Sequence, residues 1–394
     1  MEVLQTIGGI IIALIALMVM VVIHEAGHYT VGKLLKFKIN EFAVGFGKAI
    51  FKKTKKNGEV FSLRLIPLGG YCAFEGEDED SDNPDAFNNQ KPWKRALVLI
   101  SGALFNFISA ILIIALTFTF YGDILPQSTP QSIHLSQESV FQADDFIMSI
   151  DGEEFSFFQT DVKYELLDGT HTAVVKRLDE EGNWKTLTVE FDGEDYGFIQ
   201  NSSYELYAYY MYVNGTPIDG YGEEYFKDNA QKFKDVTDAE LTQNYEAVQK
   251  IVDKGNCITY RYIRIRFNFF SAFGRAFGTA FRIVGMIISV FIGLFTGGTP
   301  ISDLGGPVTV ISMLGQSATL SLGTLMYFVC LISANLAVFN LLPIPSLDGS
   351  RLLFVIIEWI RGKPINRKVE GYIHFIGLIF VFAFAILVDL LKVF

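Results

Sequence analysis

Along this 394-residue chain, long uncharged apolar stretches alternate with stretches dense in charge. Four apolar stretches are long enough to cross a bilayer as helices: residues 4–23, 96–121, 320–344 and 372–388. A fifth, residues 283–295, offers only about 13 apolar residues behind Arg275 and Arg282. That length suits an interfacial or re-entrant element better than a span. Residues 60–66 alternate in part as a strand does, and Gly69-Gly70 follows, where backbone can approach closely. Between the second and third spans the pattern changes to that of a soluble domain. Residues 172–178 and 184–191 read as two strands around Glu180-Glu181-Gly182, and residues 258–267 as a closing strand. Thr237-Asp238-Ala239-Glu240 is a capping box that opens a helix running to about Val252. The expected fold is a polytopic α-helical membrane protein of about four spans with an α+β insert. Its expected parts are a first membrane half over 1–122, the insert over 123–267, an interfacial helix and linker over 268–319, and a second membrane half over 320–394.

Composition sharpens this picture. Half of the residues are hydrophobic and the mean hydropathy is +0.32, yet the formal net charge is −11. The charge is segregated into the loops, which argues against nucleic acid as a partner. Lys33, Lys36, Lys38, Lys91, Lys94 and Arg95 flank one loop, and Arg351, Arg361, Lys363, Arg367 and Lys368 fill another. Four spans place both basic loops on the cytoplasmic side, and the insert outside. Glu2 stands where a secretory signal would be basic and no small-x-small site follows, so the first stretch is expected to remain as a span. Cys72, Cys257 and Cys330 have neither metal-site spacing nor an expected disulfide. The acidic run Glu75-Gly76-Glu77-Asp78-Glu79-Asp80 reads as a solvated loop.

Chemistry enters at the end of the first apolar run, which carries no charge from Ile7 to Ile23 and then reads His24-Glu25-Ala26-Gly27-His28. Two histidines at i and i+4 share one helical face and can grip one metal ion. The glutamate beside them can take a proton from metal-bound water. Ionisable residues at membrane depth are costly and usually functional. A catalytic zinc usually takes three protein ligands, and Asp348 is the candidate for the third. It follows the apolar run Asn335–Ile344 and the helix-breaking Pro343 and Pro345, where freed backbone at membrane depth must line a wet cavity or be buried. With four spans His28 and Asp348 face the same side. With five, Asp348 would emerge on the opposite side and could not reach the metal.

These residues resemble the site-2 protease family of intramembrane zinc metalloproteases, peptidase family M50, in its bacterial branch with a PDZ-like insert. The resemblance is carried by HEAGH at 24–28, Phe42-Ala43-Val44-Gly45-Phe46-Gly47, Ile66-Pro67-Leu68-Gly69-Gly70-Tyr71, the lead-in from Phe87 to Arg95, Gly102-Ala103-Leu104-Phe105-Asn106, Gly306-Pro307-Val308 and the block from Asn340 to Gly349. Ala103 stands where the family commonly has proline, and Ser350 where it often has a second glycine. The resemblance implies one zinc held by His24, His28 and Asp348, with Glu25 as general base. It implies that Asn335 and Asn340 lie near the substrate backbone, where amides can hydrogen-bond it or a developing oxyanion. Residues 38–73 become a re-entrant β-element whose edge, with Gly69, Gly70 and Tyr71, can accept an unwound substrate as an added strand.

The same resemblance makes residues 143–152 the start of a PDZ-like fold, with residues 213–218 echoing a second, and so one or two such folds able to take a peptide or protein ligand. Implied substrates are membrane helices of other proteins, such as anti-sigma factors or leftover signal peptides, at a bacterial plasma membrane with the active site toward the cytoplasm. The competing class is a proteolytically silent membrane scaffold that binds partners through its PDZ-like part. A transporter would show broken helices in both halves, whereas prolines interrupt a span here only near Pro343.

Overall fold

The structure, a computed structural model, describes residues 2–77, 81–129, 139–155, 167–301 and 304–391. It divides into two compact units, residues 1–120 with 268–394, and residues 121–267.

The first unit opens with α1 (Glu2–Leu34), a single helix that continues through His24–His28 without a break. Two long strands follow, β1 (Ile39–Thr54) and β2 (Val60–Phe74), paired with each other, and then α2 (Pro92–Phe120). Residues 41–44 of β1 have strand partners on both sides, residues 70–73 on one and 60–63 on the other. Residues 51–54 pair with 60–63 in turn. Each strand therefore bends back on itself, β1 near Gly45 and Gly47 and β2 near Gly69, all three at positive φ that only glycine adopts without strain. The result has two edges, 51–54 and 70–73. The acidic run beyond it is pinned rather than free: Arg351 pairs with Glu77, and the Asn88 amide donates to the Glu77 carbonyl at 2.9 Å. Residues 78–80 of that run lie outside the described residues.

The second unit contains β3 (Asp123–Ser128), β4 (Phe146–Ile150), β5 (Glu153–Glu154), β6 (Thr170–Leu178), β7 (Trp184–Asp192) and β8 (Tyr196–Gln200). Four helices follow, α3 (Asn201–Val213), α4 (Glu223–Asp228), α5 (Ala230–Phe233) and α6 (Asp238–Val252), and then β9 (Asn256–Ile265). The sheet order is β7-β6-β4-β3-β9-β8, with β5 against β4. All pairs are antiparallel except β8 with β9. Those two strands divide two cores. Phe198 and Ile258 join Phe141, Val175 and Phe191 on one face, whereas Ile199 and Cys257 join Tyr204, Phe226, Val248 and Ile251 of the helices on the other. A strand covered on both faces reads as a continuous apolar run, which is why β8 is buried almost throughout. The capping box at Thr237 is formed as its sequence implies. Residues 213–218 fall at the end of α3 and the turn after it, and the elements between β8 and β9 are helices joined by turns.

The chain re-enters the first unit with α7 (Phe269–Thr296), α8 (Pro307–Leu320), α9 (Leu322–Leu341), α10 (Asp348–Arg361) and α11 (Arg367–Leu391). Here the 13-residue reading of 283–295 is corrected, because the helix is 28 residues long. Gly274, Arg275, Thr279 and Arg282 dilute the hydropathy of its first half. In the structure Ala272, Ala276, Thr279, Ala280, Ile283 and Ile287 form its buried stripe, and the Phe269, Phe273 and Phe277 side chains point outward. Small residues on one face let helices approach closely in lipid, where helix contact depends on packing rather than hydrophobicity. Among the described residues five helices are long and apolar enough to cross a membrane: α1, α2, α7, α9 and α11.

Five such helices do not separate His28 from Asp348. Phe281 of α7 meets Phe107 beside Asn106, and Phe291 meets Phe339 beside Asn340, so α7 reaches the depth of the metal-ligand candidates. Gly315 of α8 then packs on Gly9 of α1, 15 residues or roughly 22 Å along that helix from His24. The chain has thus returned toward the far end before α9 begins, and α9 runs back to the His24 level. The parity argument counted crossings and could not see this return.

Candidate metal centre

His24 and His28 lie on one face of α1, both buried. Asp348 is the first residue of α10, after an irregular segment from Leu342 to Leu347. Pro343 and Pro345 stop α9, and Ser346 adopts a left-handed φ of 83°. That turn is held from α11: the Ser346 N–H donates to His374 Nδ1 at 3.1 Å, and Pro345 packs against Gly377.

Three ligand atoms converge. Asp348 Oδ2 lies 2.9 Å from His24 Nε2 and 3.1 Å from His28 Nε2, and the two Nε2 atoms are 3.1 Å apart. Atoms bound at about 2.0–2.1 Å around a tetrahedral ion lie roughly 3.3 Å apart, so the triangle fits such an ion. Two imidazoles and one carboxylate are also a ligand set that catalytic zinc takes. His28 Nδ1 donates to the Val98 carbonyl at 2.8 Å. A carbonyl can only accept, so this bond puts the proton on Nδ1 and leaves the Nε2 lone pair for a metal.

Two glycines make the cluster possible. A Cβ on Gly102 of α2 would stand 2.7 Å from His24 Cε1 and closer still to His28 Nε2. A Cβ on Gly27 would meet the Ser101 carbonyl and stand 3.0 Å from Gly102 Cα. The backbones of α1 and α2 therefore touch where the imidazoles sit.

The other singled-out residues divide. Glu25 is half-buried, with Gly70 close by: a Cβ there would lie 3.7 Å from Glu25 Cγ. Gly69 is the left-handed bend residue against the Phe46 ring. The Tyr71 hydroxyl donates to Glu41 at 3.0 Å, inside the β-element. Asn340 reaches the cluster, its Nδ2 3.3 Å from His24 Nδ1. Asn335, five residues earlier, stands about 140° around α9 and is not brought to the histidines. Sequence reasoning did not assign site roles to Gly27, Gly102, Asn106 or the Val98 carbonyl. The signal was the pair of glycines inside HEAGH and GALFN, each on an apolar helix where a small residue marks close approach.

A metal-ligand cluster on the first of several membrane-spanning helices, with a glutamate beside it, defines a metal-dependent membrane hydrolase. The sequence profile of peptidase family M50 matches residues 12–384, and the chain belongs to that family. Similar proteins include one of Neisseria meningitidis that bears a provisional zinc metalloprotease name, 28% identical over 94% of this chain and 95% of its own. A Clostridium perfringens protein with the same kind of name is 28% identical over 97% of each chain. The regulator of sigma E protease of Haemophilus influenzae is 26% identical over the whole of both. Family and ligand set together make the chain a zinc metalloprotease.

Proposed function

We propose that this protein is an intramembrane zinc endopeptidase that cuts transmembrane segments of other membrane proteins. The observation that carries the reading is the unpartnered β-edge beside the ligand cluster. Residues 70–73 have a strand partner on one side only among the described residues, and Gly70 stands next to Glu25.

A substrate helix hides its amides in its own hydrogen bonds and has to unwind before water can reach one. The 70–73 edge supplies replacement backbone hydrogen bonds to the extended segment and sets it along Glu25. The β-element has its own claim to membrane depth. Ile50, Phe51, Leu65 and Ile66 are large, apolar and exposed on it, a surface that suits lipid or an apolar substrate rather than water.

His24, His28 and Asp348 hold the metal. Bound zinc supplies Lewis acidity and a water of lowered pKa. Glu25, beside the two histidines, would serve as general base, holding a proton and passing it to the leaving amide nitrogen. The Asn340 amide, beside His24, is placed to donate to the substrate carbonyl as charge develops on it. Asn335, about 140° around α9 from Asn340, acts further along the bound segment.

The Lys/Arg bias of the loops supports an active site on the cytoplasmic side of a bacterial plasma membrane, with residues 121–267 outside. That outer unit, read as PDZ-like, would admit substrates already trimmed of bulky outer domains. Anti-sigma factors and remnant signal peptides both meet that description, and one relative is named a sigma E regulator protease.

The test is cleavage of a single-span substrate by purified protein in detergent, beside Glu25→Gln, with zinc counted in both. The expected result is one zinc in each and turnover only in the wild type. Turnover retained by the variant removes Glu25 as base. Absence of zinc from the wild type would favour the silent scaffold.

A further inference from the structure

Asn106 of α2 is fully buried, and its side-chain oxygen meets no hydrogen-bond donor. Its amide nitrogen faces His24 Nδ1 at 3.4 Å. This arrangement conflicts with the metal site. His24 turns Nε2 toward Asp348 and His28, so Nε2 is the atom that binds. A neutral imidazole that binds through Nε2 carries its hydrogen on Nδ1. An N–H then faces an N–H, while the oxygen of the same amide is left with nothing. The two ends of an amide are told apart by the hydrogen bonds they make. Turned over, Oδ1 accepts the Nδ1 hydrogen, and one orphaned buried acceptor is satisfied.

Asn340 does not supply that acceptor. Its amide nitrogen is nearly equidistant from the two ring nitrogens of His24, 3.3 Å from Nδ1 and 3.4 Å from Nε2. An in-line partner of Nδ1 would be distinctly nearer that atom, whereas the Asn106 amide approaches Nδ1 alone. His28 shows the same need met by other means, through the Val98 carbonyl. Both carriers of this function, Val98 and Asn106, sit on α2, two turns apart.

We propose that Asn106 is the positioning residue of the metal centre: its side-chain oxygen accepts the His24 Nδ1 hydrogen, fixing the tautomer and ring plane that present Nε2 to zinc. Asn106 touches neither substrate nor metal and acts through His24. The backbone helps to aim it, since the Asn106 carbonyl accepts from the Ser333 hydroxyl of α9 at 3.0 Å. The inference rests on the zinc reading above, and its test separates the two.

The experiment compares zinc affinity, by chelator competition, for purified full-length wild type, Asn106→Asp and Asn106→Leu. All three branch alike at Cγ, and Asp matches Asn in volume while Leu is larger. Asp keeps the acceptor and loses the donor, whereas Leu loses both. The expected result is zinc held by Asn106→Asp as tightly as by wild type or more so, and roughly 10- to 100-fold weaker by Asn106→Leu. Equal loss in both variants would show that the amide N–H is what matters and overturns the proposal, as does unchanged affinity in both. Wild type without zinc removes the zinc reading and this inference with it. A measurement without any variant covers the case in which Leu fails to fold: with histidine 15N-labelled and zinc bound, His24 is expected to carry its proton on Nδ1. A proton-free Nδ1 in the loaded wild type overturns the proposal.

Discussion

At the scale of single residues the absence of a side chain matters as much as the ligands do. Gly102 leaves room for two imidazoles against α2, so Gly102→Ala has to push a ring away or separate the helices. The expected outcome is a fall in zinc content of at least about tenfold at fixed free zinc, measured on purified protein, since ligand displacement acts on metal affinity at least as strongly as loss of an outer partner. A different residue ties α1 to the β-element. Glu59 is buried, accepts from the Tyr29 hydroxyl at 2.7 Å and pairs with Lys55 at 2.6 Å. Burial opposes its charge, but the Lys55, Tyr29 and Asn57 hydrogen bonds outweigh that and hold its pKa down at about 2, from an ordinary 4.5. A depressed carboxylate stabilises the fold fully above its ordinary pKa and loses that contribution as pH falls from about 4.5 through about 2. Lys55 is well exposed, so the pair contributes only about 1 kcal/mol. The melting difference between wild type and Glu59→Gln is therefore expected to be flat above pH 5 and to close toward pH 2. A gap that persists to pH 2 contradicts the pairing.

At the scale of elements the unit of residues 121–267 offers the sharper test. Asp145 has no exposed surface and is held by Arg177 at 2.8 and 2.6 Å and by the Gln142 N–H at 2.9 Å. This joins the turn before β4 to β6. Arg177→Ala strands a buried carboxylate, for which the expected cost is about 3–5 kcal/mol, read from the unfolding of the Trp184 environment on β7. A change below 1 kcal/mol would mean that water replaces the guanidinium. In the membrane unit α2 plays the corresponding part. It packs against α1, α7, α9 and α10, and half of its most apolar stretch is buried, against 17% for α1 and α7. Helices that face lipid keep large side chains outside. The helix at the centre keeps Gly102, Ala103, Asn106 and Ala110 inside.

At the scale of the molecule the metal joins what the sequence sets far apart. Its candidate ligands stand 320 residues apart in the chain, on α1 and at the start of α10. Removing zinc with a chelator is expected to lower the melting temperature of the membrane unit, by the equivalent of about 2.7 kcal/mol when free zinc had stood at 100 times its Kd. The unit of residues 121–267 holds none of these ligands, and its own transition is expected to keep its midpoint. A chelator with no effect on either transition would argue against a metal-tied α1 and α10.

The chain alone shows its membrane character, its α+β interruption and its hydrolytic motif, because these depend on local order: uninterrupted apolar runs, a capping box, and histidines one turn apart. It also marks Asp348, since Pro343 and Pro345 have to end a helix wherever they lie in one. The length of α7 was not legible, because glycine, threonine and arginine hide an apolar helix whose small residues pack inward on α2. The return of the chain before α9, the double pairing of residues 41–44, and the approach of Asn106 and Gly102 to the histidines were not legible either. Each is a contact between segments distant in sequence, chosen by packing that no local pattern records. The tertiary structure alone settled which backbone stands close enough to aim an imidazole.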